Sequence, residues 1–249
     1  IVNHYIKFGD DLKLIEYIDN SEVKPNKKLL DAIDKMIQDK KEYTLLDEQK
    51  VIAEAIKWEA KQAFTNNQKS VVIVSGGPGT GKSVLAINLL GELLKLGLMG
   101  AYVSKNMAPR KVYKNSLVYN NEVSIHELFK SSGYFFRDQE NKYDFLLVDE
   151  AHRLQEKSGV HYNIGENQIK EIIHASKLTV FFVDEAQMIT LKDIGTISNI
   201  KYFAKLAHAK ILEYKLTSQF RCNGSDSYLD FVEHFLYNKK GSCKFHFDF

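Results

Sequence analysis

The sequence predicts an α/β fold in which a parallel sheet lies between helices. Short apolar runs rich in β-branched residues alternate with segments of helical periodicity along the 249-residue chain. Such runs are typical of strands that are buried on both faces of a parallel sheet. The alternation favours helical connections between successive strands, and these helices then cover both faces of the sheet.

A glycine-rich loop follows the first buried strand and predicts phosphate binding. The run Val71–Ser75 leads into a segment that matches the P-loop (Walker A) pattern G-x-x-x-x-G-K-[ST], and a helix is expected to open after it. Glycines let successive backbone N–H groups surround phosphates, and a helix N-terminus favours anions. The expected nucleotide-binding residues are Gly76, Gly77, Pro78, Gly79, Thr80, Gly81, Lys82, Ser83 and Val84.

Two residues of the loop have specific expected roles. Lys82 reaches the β- and γ-phosphates of ATP, and the Ser83 hydroxyl is a ligand of Mg²⁺. ATP and Mg²⁺ are therefore the expected cofactors. The alternative is a glycine-rich turn that binds nothing. Because a turn alone needs no Lys-Ser pair, nucleotide binding is favoured.

Composition and charge exclude several other classes of protein. The net charge of +2 gives no global basic field, so any nucleic-acid surface must be local. Cys222 and Cys243 form no metal-ligand spacing, which favours a reduced, cytoplasmic compartment. The sequence shows no signal peptide and no apolar tract long enough to span a membrane. The chain starts without Met and ends on alternating polar and aromatic residues, so we expect a fragment of a longer protein.

Further elements are expected from hydrophobic periodicity and capping residues. Strands are expected at Gly100–Ser104, Phe145–Val148, Leu178–Val183 and Lys210–Leu216. Helices are expected at Asp10–Ile18, Lys27–Gln38, Ser124–Lys130, Ile169–Ala175 and Tyr228–Tyr237, with a long helix that begins at Asp47 as N-cap and ends at Ala63, burying Val51 and Trp58 among others.

An acidic pair at the end of another buried strand predicts catalytic carboxylates. Asp149 and Glu150 come directly after four apolar residues, and the carboxyl ends of parallel strands share one crevice. In a Walker B site Asp149 orients Mg²⁺, and Glu150 acts as the base that polarises the attacking water. The alternative is a strand that ends in solvated acids. His152 could equally cap the loop.

Two later residues are candidates for sensing and stabilising the transferred phosphate. Gln187 follows a buried strand in Asp184-Glu185-Ala186-Gln187 and can approach the same crevice. Arg221 follows the last predicted strand, and its permanently charged guanidinium is suited to an arginine finger. Taken alone, an arginine of this kind is more often a surface ion-pair residue.

The order of these segments resembles the first half of a superfamily 1 helicase motor. The resemblance implies a RecA-like P-loop fold, with a second RecA-like lobe beginning near the end of the chain. In the segment that resembles the Q motif, Gln49 would hydrogen-bond the adenine edge. The matching segments are Leu45–Gln49 for the Q motif, Ser104–Arg110 for motif Ia, Val123–Phe129 for the Thr-Ile-His element of RecD-like enzymes, Asp184–Gln187 for motif III and Leu216–Arg221 for motif IV.

A narrower resemblance is to a bacterial ATPase family grouped with the Schlafen-type DNA/RNA helicase domain. It rests on Ser-Lys-Asn-x-x-Pro-Arg, which begins at Ser104, and on the eleven-residue phrase that begins at Leu216. It runs from about Ile18 to the end of the chain. Val183 stands where motif III has glycine, and the chain ends before motifs V and VI.

This resemblance implies three segments and a nucleic-acid partner. The segments are a helical extension at 1–44, a first RecA-like ATPase domain at 45–209, and the start of a second lobe at 210–249. Single-stranded DNA or RNA would contact basic residues with aromatic stacking platforms nearby, and a solvated helix face explains the same charges. The residues of this cluster are Lys105, Arg110, Lys111, Lys114, Tyr102 and Tyr113.

Two rivals to a nucleic-acid motor stay open. One is a nucleotide-gated signalling or defence module whose ATPase cycle orders a protein partner. The other is a nucleotide-binding scaffold without turnover. The presence of Lys82, Asp149 and Glu150 together argues against the scaffold, because a retired site has no physical need for all three.

Overall fold

One parallel sheet organises the part of the chain that the structure, a computed structural model, describes: residues 45–66, 68–105, 128–158 and 164–218. Its strands are β1 (Ser70–Gly76), β2 (Gly100–Ser104), β3 (Phe129–Lys130), β4 (Tyr143–Asp149), β5 (Ser176–Val183) and β6 (Lys210–Leu216). They lie in the order β3-β2-β4-β5-β1-β6, and every neighbouring pair is parallel. The α/β fold with a parallel sheet is therefore confirmed.

Within the described ranges, four α-helices cover the two faces of the sheet: α1 (Asp47–Thr65), α2 (Lys82–Lys95), α3 (Gln168–Ala175) and α4 (Ile197–Leu206). Strand β1 shows how the faces are divided. Val72 and Val74 pack with residues of α1 and α2, whereas Val71 and Ile73 pack with residues of α3 and α4. Because successive side chains of a strand point to opposite faces, an unbroken apolar run is needed here.

The strand order positions the functional edge. Strand β5 lies between β1, which leads into the P-loop, and β4, which ends at Asp149. The carboxyl ends of all three strands therefore meet at the same edge of the sheet. Short 3₁₀ helices follow β4 at Ala151–Arg153 and β5 at Glu185–Gln187, so the backbone turns directly after each of these two strands.

Helix α1 is anchored to this edge through its first turn. The Glu48 carboxylate accepts hydrogen bonds from the Thr217 backbone N–H (3.1 Å) and hydroxyl (2.9 Å), directly after β6. The N-cap is Leu46 and not Asp47, and Leu46 donates its N–H to Gln49 Oε1 at 3.1 Å. The expected burial of Val51 and Trp58 was also wrong, since their exposed fractions are 69% and 57%.

Two further expectations change in the structure. The segment Ser124–Lys130 was expected to be helical, but its last two residues, Phe129 and Lys130, form strand β3 beside Tyr102 and Val103. Leu128 is helical, and residues 124–127 lie outside the described residues. A short apolar pattern does not show where a helix ends and a buried strand begins. Helix α4 has no counterpart among the predicted elements, although Thr196 caps it by accepting the Asn199 N–H at 3.1 Å.

The expected second lobe does not begin at residue 210. Strand β6 pairs with β1 along its whole length, from Ser70 opposite Lys210 to Gly76 opposite Leu216. Residues 210–216 thus belong to the sheet that carries the P-loop. The helices expected at 10–18, 27–38 and 228–237 lie outside the described residues, and the remaining domain boundaries stay predictions.

Candidate functional site

The P-loop joins β1 to α2 through a left-handed turn. Gly79 and Gly81 have φ angles of +79° and +81°, a region that side chains with a Cβ rarely adopt. A Cβ at Gly81 would also lie 2.2 Å from Gln49 Nε2, so any larger residue there would force the Gln49 side chain to shift. Thr80 closes the loop by donating its hydroxyl to the Gly77 carbonyl at 2.9 Å. The expected strand, loop and helix are all present.

Gln49 supports this loop from α1. Its side chain is 2% exposed, and its amide nitrogen donates to the Thr80 carbonyl at 3.0 Å while its oxygen accepts the Leu46 N–H. The amide is therefore engaged with protein backbone on both sides. Gln49 holds the P-loop in place, and its contact with an adenine edge stays a prediction.

Lys82 lies in the mouth of the loop. Its ammonium donates to the carbonyls of Gly76 and Gly77, both at 2.7 Å, and lies 3.4 Å from Asp184 Oδ2. The side chain is 7% exposed. A buried cation at a helix N-terminus, beside backbone N–H groups, is an arrangement suited to phosphate.

Asp149 is the buried acid at the end of β4. Its Oδ2 accepts the Ser83 hydroxyl at 2.7 Å and the Tyr102 hydroxyl at 2.5 Å, and its Oδ1 accepts the Glu150 N–H at 3.0 Å. Burial raises the pKa of Asp149, and the hydrogen bonds from Tyr102 and Ser83 oppose that rise. The P-loop serine and the strand-end aspartate, far apart in sequence, are brought into direct contact.

The Ser83–Asp149 pair has the donor chemistry of a magnesium site. Mg²⁺ prefers hard oxygen ligands and is usually held by one or two protein groups, with phosphates and waters completing its shell. One hydroxyl and one carboxylate fit that requirement. No cluster of three or more His, Cys, Asp or Glu side chains suited to a metal occurs among the described residues.

Glu150 adopts a backbone conformation that is uncommon for a residue with a side chain, with φ at +53°. Its carboxylate meets the His152 ring, with Nε2 3.1 Å from Oε2. The hydrogen bond from His152 lowers the pKa of Glu150, partial burial opposes this, and the charge of Lys82 contributes in the same direction as His152. The contact with His152 thus favours the ionised form of Glu150, which is the form that a general base needs.

His152 joins two strand ends and does more than cap a loop. It is 1% exposed, and its Nδ1 accepts the Asp184 backbone N–H at 3.2 Å. Because Nδ1 is an acceptor, the ring proton lies on Nε2, which faces Glu150. His152 therefore orients Glu150 from a fixed point directly after β5.

Asp184 is the residue of this edge that the predicted site omits. It is 5% exposed, and its Oδ2 accepts from Gln187 Nε2 at 2.7 Å in addition to contacting Lys82. The sequence carried a signal for it: Val-Asp-Glu-Ala occurs twice, at 148–151 and at 183–186. Both copies end strands of the same sheet, so the first acid of each copy reaches the same edge.

Part of the expected nucleic-acid cluster faces inward. Tyr102 is fully buried with its ring 5.7 Å from that of Phe129, so its proposed role as an exposed stacking platform was wrong. β2 lies between β3 and β4 with a helix over this face, which leaves Tyr102 no exposed side. Lys105 Nζ lies 3.7 Å from the buried Asp193, and burial lowers the pKa of Lys105.

The other members of that cluster and one catalytic candidate cannot be placed. Arg110, Lys111, Tyr113, Lys114 and Arg221 lie outside the described residues. Among the described residues, no helix is both long enough and apolar enough to cross a membrane. The cytoplasmic location stays a prediction.

Curated relatives match parts of the chain. A UPF0273 protein of Thermotoga maritima is 27% identical over 129 residues, which cover 48% of this chain and 52% of that protein. A UPF0273 protein of Pyrococcus horikoshii is 37% identical over 60 residues, or 24% of each chain. The chain thus matches about half, or less, of the length of these relatives.

Solved structures give only distant matches. One is a crystal structure of a DNA replication initiation factor, and another is AMPPCP-bound DnaA from Aquifex aeolicus. Each has 13% identity and a TM-score of 0.37, and covers 78% of this chain; 53% and 54% of those chains are covered. Nothing about activity follows at this level of similarity.

A family model gives the broadest assignment. The model described as "Schlafen group 3, DNA/RNA helicase domain" matches residues 69–248, which include the P-loop and both acidic strand ends. With the P-loop fold, this match indicates a nucleotide-binding domain of the ATPase type. The chain belongs to the Schlafen group 3 DNA/RNA helicase-domain family.

Proposed function

We propose that this chain binds Mg-ATP between the P-loop and the ends of β4 and β5, hydrolyses it, and works as a superfamily 1 type motor lobe on single-stranded DNA or RNA. The observation that carries the proposal is the 2.7 Å hydrogen bond between Ser83 and Asp149. A Mg-ATP site requires a P-loop hydroxyl and a strand-end carboxylate, and this hydrogen bond brings the two together from α2 and β4.

The described residues divide the hydrolytic work among them. Lys82 would bind the β- and γ-phosphates, and Ser83 with Asp149 would hold Mg²⁺, which would supply positive charge to the phosphate oxygens. Glu150 accepts one proton from water as the water oxygen bonds to the γ-phosphorus. The bond from that phosphorus to the bridging oxygen breaks, and ADP and inorganic phosphate leave. His152 keeps Glu150 oriented and ionised.

Two further roles rest on the resemblance to superfamily 1 motors. Gln187 reports the state of the γ-phosphate, and its link to Lys82 through Asp184 supports that role. Arg221 is proposed as the arginine finger on order in the chain alone. The helicase-domain family supports a nucleic-acid partner.

A second candidate function is a nucleotide-gated module that orders a protein partner. The inward placement of Tyr102 and the ion pair of Lys105 with Asp193 favour it, because they remove two of the expected nucleic-acid contacts. The two functions differ in whether single strands affect turnover.

Single-stranded DNA or RNA should stimulate ATP hydrolysis if the chain is a motor lobe, and the stimulation should fall steeply with salt. Each Lys or Arg contact with a phosphate releases counterions on binding, which makes the affinity salt-dependent. Steady-state turnover would be measured with oligonucleotides between roughly 50 and 200 mM salt, the range over which such binding weakens most. ATP turnover that is unchanged by single-stranded DNA and by single-stranded RNA at low salt would favour the protein-partner function.

Lys82→Ala should weaken Mg-ATP binding by about 10- to 100-fold, because hydrogen bonds to charged groups contribute about 1.5–3 kcal/mol. Lys95→Ala is the matched control, since the exposed Lys95 lies at the other end of α2, where it pairs with Glu92 at 3.3 Å. Calorimetric titration measures both. Equal affinities of the two variants would contradict the proposed site.

Glu150→Gln should retain Mg-ATP binding and lose hydrolysis by at least about 100-fold, because the neutral amide cannot accept the proton from water. Glu156→Gln makes the same substitution at an exposed position and should hydrolyse ATP like the parent chain. Phosphate release under saturating ATP is the measurement. Normal turnover by Glu150→Gln would remove Glu150 from the role of base.

His152→Ala should shift the acid limb of the kcat/KM profile to higher pH. The base must be ionised, and loss of the hydrogen bond that lowers the pKa of Glu150 raises that pKa. His152→Gln retains an N–H donor and should shift the limb less. An unchanged acid limb in His152→Ala would show that His152 does not set the protonation of the base.

A further inference from the structure

Lys82 has no spare donor for a nucleotide phosphate. An ammonium group carries three N–H bonds, and Lys82 has three acceptors around it: the Gly76 carbonyl, the Gly77 carbonyl and the Asp184 carboxylate. A phosphate oxygen that engages Lys82 must therefore share or replace one of them.

Asp184 is the acceptor that is easiest to exchange. Its contact with Lys82 is 3.4 Å, whereas the two carbonyl contacts are 2.7 Å. It is also the only negatively charged group of the three, and an incoming phosphate repels it. That repulsion is strong here because both Lys82 and Asp184 are more than nine-tenths buried.

The same carboxylate oxygen also holds Gln187. Gln187 Nε2 donates to Asp184 Oδ2 at 2.7 Å, and Lys82 contacts that very atom. When Lys82 moves to a phosphate, the oxygen loses its cation and becomes a stronger acceptor for the Gln187 amide. Phosphate binding at the P-loop therefore strengthens the hydrogen bond that Gln187 makes, without direct contact between Gln187 and the nucleotide.

Asp184 is also fixed in position while this exchange takes place. Its backbone N–H donates to His152 Nδ1, and His152 contacts the catalytic base candidate Glu150. One residue thus touches the phosphate-binding lysine, the sensor candidate and the residue that orients the base.

We propose that Asp184 is a positioning residue. Lys82 leaves it to bind the phosphates of the nucleotide, and the hydrogen bond from Gln187 to Asp184 becomes stronger as a result. The inference rests on the proposed nucleotide function of the P-loop. It assigns to Asp184 two opposing effects: its charge weakens nucleotide binding, and its hydrogen bonds are needed for turnover.

Asp184→Asn separates these effects, because asparagine keeps the shape and one oxygen acceptor while removing the charge. We expect Mg-ADP and Mg-ATP to bind about tenfold more tightly, as expected for the loss of one partly screened like-charge contact. We expect kcat to fall at the same time. A merely structural role would weaken binding and turnover together.

Two control variants are available at this strand end. Glu185→Gln removes one negative charge from the adjacent position, but Glu185 points to helix α4, where its Oε1 accepts the Ile197 N–H at 2.8 Å. It should leave both affinity and kcat unchanged. Asp184→Glu keeps the charge and should not tighten binding.

The inference about Asp184 is tested by calorimetric titration of the full chain with Mg-ADP and Mg-ATP, followed by measurement of steady-state turnover. Tighter binding with lower kcat in Asp184→Asn alone supports the inference. Unchanged or weaker binding in a folded Asp184→Asn overturns it and leaves the proposed function intact. A parent chain that binds no nucleotide overturns both. If thermal unfolding shows that Asp184→Asn is not folded, Asp184→Ser removes the same charge and carries the same expectation.

Discussion

The convergence of three parallel strand ends is the constraint on which the site depends. Because β5 lies between β1 and β4, the sheet brings Lys82, Asp149 and Asp184 to one edge, where all three are buried. Burial of a charge costs several kcal/mol unless partners satisfy it. Asp149 is satisfied by hydroxyls and a backbone N–H, and Asp184 by a cation and an amide. These buried charges suit the binding of a polyanion, which can replace one of their partners, better than they suit the stability of the fold.

The two Val-Asp-Glu-Ala segments show how position in the fold decides the role of a residue. In the first, Glu150 takes a left-handed backbone conformation and contacts His152; in the second, Glu185 starts a 3₁₀ helix and accepts the N–H of Ile197, the first residue of α4. The four-residue segments are identical, so the difference comes from what each strand end faces and from the residue that follows the segment. Only the first copy has a histidine two residues after its glutamate, and this supplies the partner that keeps the carboxylate ionised.

The sequence predicted most of the sheet and the P-loop, because unbroken apolar runs and a glycine-rich pattern are local signals. It failed where the answer depended on distant neighbours. Tyr102 and Lys105 had the composition of a nucleic-acid surface, but β2 is an interior strand and Asp193 lies opposite Lys105. The position of β6 within the first sheet and the contact of Gln49 with the P-loop are likewise set by tertiary packing.

The proposed Mg-ATP site is formed by Ser83, Lys82 and Asp149, and its most direct test is the magnesium dependence of ATP binding by the whole chain. Equilibrium titration would be made with Mg²⁺ and then with the metal removed by EDTA. We expect one saturable site per chain, with clearly tighter binding in Mg²⁺, because Ser83 and Asp149, the two proposed oxygen ligands of the ion, are already in contact. Absence of saturable binding, or equal affinity in EDTA, would contradict it.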